Sequence, residues 1–348
     1  MSIKVLVPWV PPLDLVVPRI ERAYKARWYT NFGQLVEELE ARLAEKFFPG
    51  MHVVTTSSGT SALELSYRLQ RAYGIHTALL SAWSFPAAAL AAHAAGLQVR
   101  FRDVSPSTWS DGSVAALGIP VSKDLDDRPF VVDAAAAIGM QKALPEALLC
   151  FSMHATKPLP AIEGGFIVTA MQDEARELRR MTNFGYAEPT RTAHISTGHA
   201  TSMGWGTNAK LSEFHAAVAL AALDQWELIE LGYLRLFDLY EKNLPPEVSV
   251  APARKVRGIY PVLGVKLPQG IRASRIYRHL KAANIETRRW YSPPISGHIL
   301  FRALCSEFPV TDELAEHVIG LPWHLYLQEG DIKEVCFNLA SAIGKEMK

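Results

Sequence analysis

The sequence predicts an α/β protein: a three-layer large domain with a mostly parallel sheet, followed by a smaller C-terminal α/β domain. Three observations predict it. Short apolar runs that read as strands alternate with segments whose apolar residues recur at helical spacing, the pattern of sheets covered by helices. The chain has 348 residues, enough to bury a large core and fill two domains. Residues 211–244 form one long segment, apolar on one face and suited to bridge two domains. The division is expected at residues 1–235 and 236–348.

Residues 15–48 read as two helices around the turn Trp28-Tyr29-Thr30-Asn31-Phe32-Gly33, because Leu35, Leu39, Leu43 and Phe47 recur at helical spacing after it. Residues 52–56 form a short strand. Ser57-Ser58-Gly59-Thr60-Ser61 then opens a helix over 62–70. A small-residue turn at a helix start presents free N–H groups and the positive end of the dipole, which suits a phosphate. It reads equally as an ordinary cap by Ser58 or Thr60. Residues 79–85 form a strand ending in Trp83-Ser84-Phe85, where Phe85 is either a ligand-facing aromatic or a core side chain. An Ala-rich helix and a strand over 99–104 follow. Only a short stretch, 107–128, leads to the next strand, too little for a full helix with loops.

Phe130-Val131-Val132-Asp133 ends an apolar run on a carboxylate. Burying it is costly without a partner, unless Asp133 caps the turn over 134–137. After a short connection over 141–149 comes FSMHATKPLPAIEGGFIVT, residues 151–169. Pro158 and Pro160 forbid a helix there, and the end of the stretch reads as a strand. Lys157 sits among small and apolar residues. Burial disfavours a charged amine, so Lys157 is a candidate nucleophile toward a carbonyl; a solvated surface lysine is the commoner case. A charged helix over 174–180, the turn Asn183-Phe184-Gly185-Tyr186 and a Ser/Thr/Gly-rich loop over 190–207 precede Asn208-Ala209-Lys210-Leu211-Ser212-Glu213. The remainder alternates a strand over 260–267 with helices over 274–283 and 332–343.

Formal net charge is +1 with no basic block, so neither nucleic acid nor an anionic membrane is the expected partner. The N-terminus carries early prolines and no long apolar core, unlike a signal peptide. Residues 77–97 are apolar but interrupted by Ser81, Ser84, Pro86 and His93, and read as strand and helix rather than a membrane span. Three cysteines without metal spacing fit a reducing cytoplasm and no metal site.

Ser152-Met153-His154-Ala155-Thr156-Lys157, then Glu163-Gly164-Gly165, resembles the lysine motif of the DegT/DnrJ/EryC family of pyridoxal-phosphate sugar aminotransferases, enzymes of fold type I. One subgroup, acting on nucleotide-linked keto-sugars for surface polysaccharides, reads Ser-Phe-His-Ala-Thr-Lys, a spacer, then Glu-Gly-Gly. The resemblance runs along nearly the whole chain and is weakest over 107–128 and 141–149. It implies pyridoxal 5′-phosphate on Lys157, with pyridoxamine phosphate as intermediate, and Asp133 on the ring nitrogen. It implies Gly59, Thr60, Ser61 and Ser152 at the cofactor phosphate, Phe85 on the ring face, and Asn208 reaching the phosphate of the other subunit of a homodimer. Asn31, Asn183, Tyr186, Arg289 and Tyr291 fall where the family places substrate contacts. The family carries Gln or His where Ala136 stands, which implies that one hydrogen bond to the cofactor is lost or is supplied by water or another side chain.

The implied activity is a cytoplasmic aminotransferase moving nitrogen from glutamate to a keto-sugar linked to a nucleoside diphosphate (dTDP, UDP or GDP). Its product would serve surface polysaccharide (O-antigen) or natural-product deoxyamino sugars. Three rivals stand beside it. Sugar dehydratases of the same fold carry histidine for the lysine, which Lys157 opposes. A catalytically degenerate member would bind the cofactor or a sugar as a regulator or scaffold. A keto-cyclitol acceptor would keep the chemistry and change the pocket.

Overall fold

A computed structural model describes residues 2–105, 130–186, 201–250, 258–305 and 307–348. The shortened stretch 107–128 and most of the 190–207 loop lie outside the described residues. Helices α1 (Leu13–Ala26) and α2 (Gln34–Phe47) flank the 28–33 turn. They are followed by β1 (His52–Thr56), α3 (Gly59–Ala72), β2 (Thr77–Ser81), α4 (Ala87–Ala94), β3 (Gln98–Arg102), β4 (Phe130–Asp133), β5 (Ala147–Ser152), β6 (Gly165–Thr169) and α5 (Gln172–Thr182).

Four strands lie in the order β1-β6-β5-β4, and β2 pairs with β3 in parallel. The expected mostly parallel sheet is mixed among the described strands. β4 and β5 are parallel, whereas β6 runs antiparallel to both β5 and β1. The reason lies in the connection. Residues 153–164 contain no helix to carry the chain back, so β6 returns beside β5 as in a hairpin. Met153 N–H donates to Gly164 O at 2.9 Å and Ala155 N–H to Ile162 O at 2.8 Å, continuing the pairing into the loop.

Side-chain alternation along the strands divides the core. Val53, Val132, Leu149, Phe151, Phe166 and Val168 pack toward one side with α2, while Val54, Val131, Leu148, Cys150 and Ile167 pack toward α3 and α4. Helices therefore cover both faces, as a three-layer arrangement requires. The strand expected over 79–85 stops at Ser81: Ser81 Oγ accepts from Trp83 N–H at 3.2 Å and closes a turn.

The single long helix expected over 211–244 is two: α6 (Glu213–Asp224) and α7 (Trp226–Asn243), broken at Gln225. No Gly or Pro marks the break. α6 is buried around most of its circumference, with Ala216, Ala217, Ala219, Leu220, Ala221 and Ala222 at 0% exposure, so it is a core helix packed on α1 and α2 rather than a one-faced bridge.

The C-terminal region is built on a small antiparallel sheet, β7 (Ser249–Val250), β8 (Leu263–Lys266) and β9 (Val318–Leu321), with α8 (Ala273–Ala282), α9 (Pro309–His317) and α10 (Glu329–Glu346) beside it. The N-terminal residues join this region: Ile3 pairs with Ile285, and Trp323 N–H donates to Val5 O at 2.9 Å. Among the described residues no helix is long and apolar enough to cross a membrane.

Candidate active site

Lys157 sits on the loop between β5 and β6. Pro158, Leu159 and Pro160 are buried behind it, and Lys157 N–H donates to His154 O at 2.9 Å. The loop is anchored by its own backbone ladder, so the lysine is presented by a fixed turn. The residue as a whole is half-buried. Burial pushes its pKa below the usual lysine range, and the Asp133 carboxylate opposes that shift.

Asp133 ends β4 opposite Cys150 of β5. Burial raises its pKa, while Ala135 N–H, donating to Oδ1 at 3.0 Å, and the charge of Lys157 pull it back. The turn-capping reading of Asp133 thus holds, and it leaves carboxylate capacity for a second partner.

The third component is the start of α3. Ser58 caps the helix by accepting from Ser61 N–H at 3.0 Å, and the Ser57, Ser58 and Ser61 hydroxyls form one cluster. The cap leaves the N–H groups of Gly59 and Thr60 without helical partners, as in any first turn. Ser152, at the end of β5, closes this cradle. A Cβ on Gly59 would lie 2.7 Å from Ser152 Cβ, so only glycine lets the helix start come this close.

These three components, drawn from β4, β5 with its following loop, and α3, converge at one edge of the sheet. Free amides with hydroxyls suit a dianionic phosphate. A buried carboxylate suits a protonated ring nitrogen, and an amine of lowered pKa suits a carbonyl. The residues therefore fit pyridoxal phosphate. Phe85 is 57% exposed, leaving its ring face free for a planar partner.

The other predicted residues are more dispersed. Asn208 is exposed and pairs through its backbone with Asn183, while the next residue, Ala209, accepts from Ser57 N–H at 2.7 Å. Asn183 is buried and its Oδ1 accepts from Lys210 Nζ at 2.9 Å. Asn31 is buried, Tyr186 is half-buried against Phe184, and Arg289 donates to Ala315 O at 3.3 Å. Tyr291 meets Trp83 edge-on, ring centroids 5.4 Å apart, which brings its turn beside the Phe85 loop. Ala136 is buried and offers only a methyl group.

Two residues of the Asn208–Glu213 motif have functions that local sequence did not reveal. Among the described residues Lys210 has no carboxylate partner. It is held by Asn183 and the Phe184 ring, and burial pushes its pKa down to about 8. Glu213 reaches back across the chain to accept from Leu35 N–H at 2.8 Å and Val36 N–H at 3.3 Å, capping α2. Burial raises the Glu213 pKa, and these bonds oppose the rise. A pairing across some 180 residues has no local signature; the acidic residue following Ser212 was its only trace.

The sequence matches the profile of the DegT/DnrJ/EryC1/StrS aminotransferase family over residues 15–115 and 125–340. The dTDP-4-amino-4,6-dideoxy-D-glucose transaminase of Shigella dysenteriae is 26% identical over 94% of this chain and 95% of its own length. The solved structure of DesI with its TDP-sugar product is 27% identical, superposes with a TM-score of 0.79, and covers 100% of this chain and 96% of that one. A Bacillus cereus protein assigned as a PLP-dependent aminotransferase superposes with a TM-score of 0.84 at 22% identity, over 98% of this chain and all of that one. The fold is that of the fold-type I aminotransferases, and the protein belongs to the DegT/DnrJ/EryC1/StrS aminotransferase family.

Proposed function

We propose that this aminotransferase moves an amino group from glutamate to a keto-sugar carried on a nucleoside diphosphate. The observation that carries the reading is the meeting of Lys157, Asp133 and the Ser152–Gly59 cradle in one place. The Shigella transaminase and DesI, both matched along nearly their full lengths and both named for dTDP- or TDP-sugars, support the sugar acceptor.

Pyridoxal phosphate, when bound, supplies the carbonyl that lysine engages and the ring that takes up electrons. The α3 amides and the Ser152 hydroxyl bind the phosphate. Asp133 keeps a proton on the ring nitrogen. Lys157 Nζ, neutral more readily than a solvated lysine, accepts a proton from the donor carbon and returns it on the acceptor side. Phe85 covers one ring face. By the family's placement, Asn31, Asn183, Tyr186, Arg289 and Tyr291 would contact the substrate. Asn208, exposed beside the Ser57 loop, completes the phosphate site of a second subunit.

The test is the visible spectrum of the purified protein with pyridoxal phosphate, before and after L-glutamate. A band that forms and is then bleached toward the pyridoxamine form supports the reading, and incubation with dTDP-, UDP- and GDP-keto-sugars identifies the acceptor by mass spectrometry. Ala136 favours the rival, binding without turnover; a band indifferent to glutamate and other amino donors would establish that rival instead.

A further inference from the structure

Tyr67 lies in the middle of α3, at 0% exposure, and its hydroxyl has no hydrogen-bond partner among the described residues. A dry hydroxyl is costly to leave unpaired, and the same space holds phenylalanine without that cost. Its surroundings show which group it faces. Residues opposite one another on neighbouring strands point to the same side of a sheet. Asp133 is opposite Cys150, and Cys150 Sγ lies 3.2 Å from Ser66 Oγ, the residue before Tyr67. Val131, two residues before Asp133, belongs to the same α3-facing core. The Asp133 carboxylate and the Tyr67 ring therefore enter the same gap between α3 and the sheet. The acidity of the Tyr67 hydroxyl is suppressed by burial first and by the charge of Asp133 next.

We propose that Tyr67 is a positioning residue for Asp133: its hydroxyl donates to the carboxylate through one buried water, and holds it ionised and aimed at the cofactor ring nitrogen. The inference rests on the proposed cofactor site. Ala135 N–H serves Oδ1 from one side. Tyr67 is the neutral donor on the helix side, and unlike Lys157 it carries no charge that catalysis must move. The titratable groups that face Asp133 among the described residues are Lys157 from the loop, Tyr67 from α3 and Cys150 from β5.

The experiment is a double-mutant cycle of Tyr67→Phe and Asp133→Asn, read by the dissociation constant for pyridoxal phosphate and by the pH midpoint of its visible band. Tyr67→Phe should weaken binding about 5- to 10-fold and move the midpoint in the otherwise native protein, yet change either by less than about twofold or not at all beside Asp133→Asn. The melting temperature of the cofactor-free protein should stay level, because the hydroxyl has no direct partner among the described residues to lose. Equal effects in both backgrounds, no effect in either, or failure of Tyr67→Phe to fold by circular dichroism would each overturn the proposal. Absence of the band in the native protein would instead overturn the cofactor reading on which it rests.

Discussion

Lys157 and Lys210 are both held in surroundings that favour the neutral amine, for different ends. Lys157 faces Asp133, whereas among the described residues Lys210 is held by Asn183 and the Phe184 ring. Replacing Lys157 with alanine should abolish the visible cofactor band and cut turnover by at least about 10³-fold, within the range of proton-transfer catalysis; the spectrum and a coupled glutamate assay check both. For Lys210 the sign follows from linkage. Its pKa is about 8 when folded and about 10.4 when unfolded. Between those values the unfolded chain binds more protons, so stability rises as pH climbs through that window. Lys210→Met should flatten the rise, measured as urea midpoints from pH 8 to pH 10. An identical slope in both proteins would show that Lys210 titrates like a surface lysine.

At the scale of elements, two helix starts carry the site. Ser58 caps α3, and Ser58→Ala should cost about 1 kcal/mol of stability, with weaker cofactor binding because the cradle amides lose their alignment. The α2 start is capped from a distance by Glu213, and Gly33 leaves room for it: a Cβ on Gly33 would sit 2.6 Å from the Glu213 carboxyl carbon. Gly33→Ala should therefore destabilise by about 1–3 kcal/mol, the usual cost of forcing atoms into a packed place. In chemical denaturation, a loss under about 0.5 kcal/mol, the scale of a neutral surface change, would mean the carboxylate moves aside freely. The motif over 208–213 thus combines exposed Asn208, half-buried Lys210, the α6 cap Ser212 and the α2 cap Glu213 in six consecutive residues.

For the whole molecule, Asp103 connects the sheet to the C-terminal region. From just beyond β3 it accepts from Val310 N–H and Thr311 N–H at 2.9 Å and from Thr311 Oγ1 at 2.7 Å, capping α9. Partial burial pushes its pKa up, but the Thr311 and Val310 bonds prevail and hold it below the usual range. Its stabilising effect is thus present above the unfolded aspartate pKa and lost as pH falls through the lower folded value. Asp103→Asn should reduce stability at neutral pH and make the acid limb of the stability curve shallower, seen by thermal melts from pH 3 to pH 7. Assembly has its own test. Mixed dimers of Lys157→Ala and Asn208→Ala subunits should regain activity if Asn208 serves its partner's site, because one site then has both residues; no recovery would place Asn208 in its own subunit's site.

The sequence by itself determined the alternation of strands and helices, the helix-breaking prolines around Lys157, the capped start of α3 and the carboxylate ending β4. Each is governed by neighbours a few residues apart, through backbone sterics, capping and apolar periodicity. Only the tertiary structure decided the antiparallel course of β6, the break at Gln225, the caps supplied by Glu213 and Asp103, the pairing of residues 3–5 with residues of the C-terminal region, and the common gap that holds Tyr67 and Asp133. These depend on contacts between residues tens to hundreds of positions apart, which leave no periodic trace in the chain and come into being only when the core is packed.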